Sequence, residues 1–196
     1  MLSRALACFG AAAAAAGAAV LPSGVVRAPM VCSHGSSGAV FTAGVHVPAS
    51  VARAATYTAH IDGVPSDKIS HFGLRYIHDM ETDFAIPAGT AYVQGSARIV
   101  PGTGTANVAR GATVTYAGGV VRLVLPAEVA SGSSYTPPSI EFELQALAPA
   151  GASLPLAFAE YRVTANAIIV GDVHTVCESV PKRVTIGTTS VTEAAP

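Results

Sequence analysis

No stretch of this chain holds an apolar repeat of helical period over ten residues or more. Short runs rich in Val, Ile, Thr, Tyr and Phe recur instead, each stopped by Gly or Pro. β-Branched and aromatic side chains suit a pleated, half-buried surface, and Gly and Pro supply the turns between such surfaces. The pattern predicts an all-β antiparallel sandwich or barrel. Nine to eleven strands in one domain make two packed sheets the natural solution. No fixed internal repeat supports a propeller or a solenoid.

The strand candidates carry readable faces. Ala39–Val47 precedes Pro48. Ala55–Asp62 places Tyr57, Ala59 and Ile61 on one face and Thr56, Thr58, His60 and Asp62 on the other. Ile69–His78 follows a polar turn, and Phe84–Ile86 leads to Pro87–Thr90. Tyr92–Val100 runs up to the loop Pro101–Thr105. Thr113–Tyr116 and Val120–Leu125 flank Gly118-Gly119, a hairpin signal because both turn residues reach positive φ without a Cβ clash. Ile140–Leu147 alternates Ile140, Phe142, Leu144 and Ala146 with Glu141, Glu143 and Gln145. One wet face of that kind favours antiparallel pairing. Leu156–Thr164, Ala167–Val170 and Arg183–Thr192 complete the set.

The first 28 residues differ from the rest. Arg4 is followed by an apolar run with Ala11 to Ala16 unbroken, and the segment closes on Val26-Arg27-Ala28. A cationic start, a short apolar run and a small-residue end match a secretory signal peptide, with cleavage expected after Ala28. A retained N-terminal anchor helix is the competing reading. The run is short and Ala-rich for a membrane span. The expected organisation is therefore a signal peptide over 1–28 and a single domain over 29–196. The product is expected to be secreted, extracellular or bound to the cell envelope, with no integral membrane anchor after processing. Cys8 precedes most of the apolar run, so it is poorly placed for lipid attachment.

Cleavage discards Cys8 and leaves Cys32 and Cys177. An even pair in an exported chain reads as a disulfide. Closing so long a loop is worth about 4–5 kcal/mol in the chain-entropy model. Two free thiols, or a zinc site shared with His34 or His174, are the alternatives.

Charge excludes one partner class. Lys+Arg number 11 against 12 Asp+Glu, and no basic cluster occurs, so nucleic acid is not an expected ligand. The richest polar segment is His71–Asp83. Asp79, Glu81 and Asp83 alternate and offer oxygens to a hard cation such as calcium, but the Gly and terminal Glu of a calcium loop are missing. A solvated turn with helical or turn capping is the preferred reading of these residues. His60 and Asp62 share a strand face, and His71 comes opposite them if 55–62 and 69–78 form a hairpin, giving an imaginable His/His/Asp zinc site. A catalytic reading, an exported hydrolase or lyase, would draw on His60, Asp62, His71, His78 and Asp79. Gly-x-Ser-x-Gly is absent, no cofactor motif is present, and Gly102-Thr103-Gly104 lacks the Lys and helix of a phosphate loop. Tyr92, Tyr116 and Tyr135 are candidate stacking platforms for sugars or partners, or half-buried sheet residues.

The segments Phe84-Ala85-Ile86-Pro87-Ala88-Gly89-Thr90 and Tyr116-Ala117-Gly118-Gly119-Val120-Val121-Arg122-Leu123-Val124-Leu125-Pro126 carry a resemblance. With the leader and the cysteine pair, the chain resembles secreted actinobacterial envelope proteins of unknown function. It is also loosely similar to immunoglobulin-like modules of bacterial surface proteins. That resemblance implies an immunoglobulin-like sandwich and an extracytoplasmic role, and carries over no catalytic residue. The expectation is a non-catalytic binding or adhesion module, whose partner is an envelope glycan or another surface protein.

Overall fold

A computed structural model describes residues 23–33 and 37–194. Most of the expected leader, together with Cys8 and His34, lies outside the described residues, as do the last two positions. Fourteen strands are described: β1 (Ser23–Cys32), β2 (Ser37–His46), β3 (Ser50–Ala52), β4 (Thr56–Gly63), β5 (Leu74–Ala85), β6 (Thr90–Tyr92) and β7 (Arg98–Ile99), then β8 (Thr113–Ala117), β9 (Val120–Leu125), β10 (Val129–Ala130), β11 (Ile140–Ala146), β12 (Ser153–Ala167), β13 (Gly171–Ser179) and β14 (Val184–Thr192). The one helix described, α1, is the single turn Ala106–Ala109.

The strands form one ladder, β6-β11-β4-β2-β1-β13-β12-β5-β9-β8. β10 adds to β5, β7 to β11, and β14 bridges β12 and β3. The pairing is antiparallel except between β14 and β3. The ladder folds back on itself into two layers. Phe41 of β2 stacks on Phe158 of β12 with ring centroids 4.1 Å apart, and meets Phe84 of β5 edge-on at 5.9 Å. Tyr92 of β6 stacks on Tyr116 of β8 at 4.0 Å, so the two ends of the ladder meet. The all-β antiparallel sandwich is thus built from a sheet continuous around one corner.

β1 makes that corner. It pairs with β2 from Ser23 to Val31 and with β13 through Met30, Val31 and Cys32. Cys32 lies directly opposite Cys177, and the expected disulfide joins them across 145 positions of sequence. Between the layers lie Met80, Phe84, Val121, Leu125, Ile140, Phe142, Leu144, Leu154, Leu156 and Phe158, all essentially inaccessible. Each such side chain contributes about 1.5–3 kcal/mol on burial.

Several local expectations hold. β11 buries Ile140, Phe142, Leu144 and Ala146 and turns Glu141, Glu143 and Gln145 outward. β8 and β9 pair from Ala117 opposite Val120, with Gly118 and Gly119 at φ 59° and 80°.

Others are corrected. β5 continues from Leu74 to Ala85, so Asp79–Asp83 is strand interior rather than a loop. Arginines on the neighbouring strands make this possible by pairing with the carboxylates. Residues 69–73 lie outside β5, and β4 pairs with β2 and β11, so the 55–62/69–78 hairpin does not form. The Tyr92–Val100 run keeps only β6 and β7, broken near Gly95 at φ 75°. Residues 168–170 are a turn, and β13 beyond it lacks an unbroken apolar face. Apart from these corrections, the expected cleavage position Ala28 lies inside β1 and is fully buried.

Candidate functional site

The sequence candidates separate into two polar groups and one loop. His60 and Asp62 point outward from β4. His46 stands directly opposite His60 on β2. Both imidazoles donate Nε2–H to the same carboxylate, His46 to Asp62 Oδ2 at 2.7 Å and His60 to Oδ1 at 2.8 Å. The Ser139 hydroxyl donates to Asp62 Oδ1 at 3.2 Å and accepts the Gly63 N–H. His60 Nδ1 faces Glu141 Oε2 at 3.6 Å, and Arg98 pairs with Glu141 at 2.5 Å. Partial burial alone would raise the Asp62 pKa. The hydrogen bonds from His60, His46 and Ser139, with the His60 charge, outweigh it and hold the group below its ordinary value.

This arrangement does not assemble a nucleophile. Both nitrogens of His60 face carboxylates, and Ser139 bonds to Asp62 rather than to an imidazole nitrogen. A triad needs the base on the nucleophile itself. The group also lies on an open sheet face, with Asp62 42% exposed.

His78 and Asp79 lie elsewhere, on β5 beside β12. His78 Nδ1 and Asp79 Oδ2 are 2.8 Å apart, while Nε2 stands 3.5 Å from Asp172 Oδ1 without a hydrogen bond. Asn166 donates to Asp172 and holds that carboxyl below its ordinary value. His71 is exposed, with Nδ1 against the Phe72 carbonyl. Among the described residues no hydrogen bond, ion pair or shared carboxylate links His60, His71 and His78.

Glu81 and Asp83 are occupied by cations of the chain itself. Arg122 donates to both Asp83 oxygens at 2.7 and 2.9 Å. Arg162 donates to Glu81 at 2.6 Å and Asp83 at 2.9 Å, and also pairs with Glu160. Asp79 takes a positive φ of 48°, beside a register shift between β5 and β12, and turns to His78. The three alternate carboxylates therefore do not converge. Among the described residues no group of three or more His, Cys, Asp or Glu side chains is placed to hold a metal ion.

His46, Ser139, Glu141 and Arg98 were not legible as partners of His60 and Asp62. The pairing of β2 with β4 brings them together, and no motif announces it. Arg122 and Arg162 left a usable signal. Each is a lone cation in an apolar strand, which calls for a paired carboxylate.

The aromatic candidates are used internally. Tyr92 and Tyr116 stack on each other, and Tyr135 lies within hydrogen-bonding reach of Tyr161 while burial pushes both phenols up. The exposed apolar surface is elsewhere. Phe72 is 99% exposed and Ile169 91%, with Ile168 and Val170 beside them at 61% and 69%. The Ile168 N–H donates to the Gly73 carbonyl at 2.8 Å, so the end of the 64–73 loop and the β12–β13 turn meet in one exposed tip. Two shallow hollows of about 230 and 320 Å³ are lined mainly by valines and small residues, and no described histidine lines either.

No protein-family model matches the sequence, and no curated protein does. Among the solved structures similar to this chain are the following three. A protein of Corynebacterium diphtheriae described as membrane anchored gives a TM-score of 0.43 at 16% identity, over 90% of this chain and 38% of its own. The full-length major pilin SpaD of the same organism gives 0.37 at 12%, over 72% and 31%. A cohesin module from a Clostridium perfringens family 33 glycoside hydrolase gives 0.35 at 10%, over 86% and 98%. The chain spans about two fifths of the first protein and a third of the pilin. No described helix is long and apolar enough to cross a membrane.

Proposed function

We propose that the protein is an exported, non-catalytic module of the cell envelope that docks onto another surface protein through its apolar tip. The observation that carries this reading is the adjacent placement of Phe72, Ile168, Ile169 and Val170, all exposed at one end of the body. Large apolar side chains gathered in one exposed tip mark an interaction surface. The occupant we assign is a protein rather than a glycan, because Tyr92, Tyr116 and Tyr135 are committed to internal contacts, and three of the four exposed tip side chains are aliphatic and carry no hydrogen-bonding group for a sugar. The disulfide fits an oxidising compartment.

The test compares wild type with the double variant Phe72→Ser/Ile169→Ser, neither of whose positions contributes to the core. Both are cross-linked on producing cells through a photo-reactive group at Val170. Wild type should give one discrete cross-linked protein, and the variant should lose it at unchanged Tm. Equal cross-linking by both proteins would overturn the reading. So would binding of wild type to lipid vesicles or isolated envelope polysaccharide that the double variant abolishes.

A further inference from the structure

We propose that export processing cuts the chain on the N-terminal side of Ser23, so that β1 stays whole in the mature protein. This rests on the export reading above and goes beyond it by assigning the processed end.

Ser23 to Ala28 pair with His46 to Phe41 without a break in register. Ala28 is fully buried, and Val26 packs against the core. A cut after Ala28 removes six of the nine β1–β2 register pairs. β4 covers β2 only from Ala43 to His46, so Phe41 and Thr42 would lose their ladder partner. Phe41 is the ring that stacks on Phe158 across the layers. The wall that Gly24 and Val26 form beside Val45, Val47 and Ile186 would also go, admitting water between β2 and β14.

A peptidase acts on the chain before it folds, so burial does not shield the bond after Ala28. The consequence falls on the product: a cut upstream of Ser23 keeps all nine β1–β2 register pairs, whereas a cut after Ala28 leaves only those of Pro29, Met30 and Val31. The sequence supplies such an end. Ala16-Gly17-Ala18, which begins on the last residue of the Ala11–Ala16 run, gives small residues at the two positions a signal peptidase reads. The step is hydrolysis by a peptidase of the secreting cell. Water adds across the Ala18–Ala19 bond, leaving a carboxylate on Ala18 and a free amine on Ala19.

The full chain is expressed in a secreting bacterial host, and released protein is analysed by N-terminal sequencing and intact mass. The expected N-terminus is Ala19, and any end between residues 19 and 23 satisfies the proposal. Release with Pro29 first overturns it while leaving export intact. Retention of the uncut chain overturns the export reading and this inference together. In parallel, Ala18→Asp should stall or displace the cut, whereas Val26→Asp should leave it in place. Both are read on denatured protein, so a folding defect does not obscure the result. The reverse pattern assigns the cut to Ala28.

Discussion

Replacing both Cys32 and Cys177 with Ala tests how the two layers are held. The bridge closes a loop of 145 positions, and the chain-entropy relation sets its worth at about 5 kcal/mol, an upper figure. The structure says where the loss should fall. β1 meets β13 at three register pairs, supported by Val180 N–H to the Pro29 carbonyl at 2.9 Å and Ser33 N–H to the Val176 carbonyl at 2.9 Å. Most of β1 is instead secured by β2. The variant should therefore open first at the corner. Urea unfolding should show a lower midpoint and a steeper slope, because the uncrosslinked denatured chain exposes more surface. Amide exchange should accelerate at Ser33 and Val180 before it does in β11 or β9. Mild reduction of wild type should reproduce the pattern without the cavity left by the missing sulfurs. A loss below about 1 kcal/mol, with Ser33 and Val180 no faster than β11, would refute the reasoning.

Asp83→Ala should cost about 2 kcal/mol by urea unfolding, since Arg122 loses both of its hydrogen bonds to that carboxylate while Arg162 keeps Glu81 and Glu160. Gly63→Ala should cost about 3 kcal/mol in the same assay, because the added Cβ would stand 1.8 Å from the Pro137 carbonyl oxygen and the backbone must move. The Asp62 carboxyl is held below its ordinary 3.8, so its contribution is present above that pH and disappears as pH falls through the lower folded value. Asp62→Asn should flatten the acid limb of the stability–pH curve in that window, and an unchanged limb would show that the hydrogen bonds to His46 and His60 do not favour the charged form.

The strand-rich nature of the chain was legible because period-two alternation and Gly/Pro punctuation are local signals. β11, β14 and the Gly118-Gly119 hairpin follow from them directly. The cysteine pairing was legible from arithmetic alone. Pairing between distant strands was not. The hairpin assumed between 55–62 and 69–78 failed because β2 and β11 flank β4, and nothing near residue 60 encodes that choice. This error also hid His46 as the partner of Asp62. Asp79–Asp83 read as a loop because its charges look solvated in isolation; Arg122 and Arg162, 39 and 79 positions away from Asp83, supply the compensation. β1 was masked by the leader pattern that overlaps it. The exposed tip escaped notice because Ile168, Ile169 and Val170 read as strand core when their turn is unknown.

The two layers belong to one ladder of strands that closes on itself. Nuclear Overhauser contacts between aromatic rings test it directly. Ring-to-ring contacts between Tyr92 and Tyr116, and between Phe41 and Phe158, are predicted in the oxidised protein. Strong strand-to-strand contacts within each layer, with both of those ring pairs silent, would contradict it.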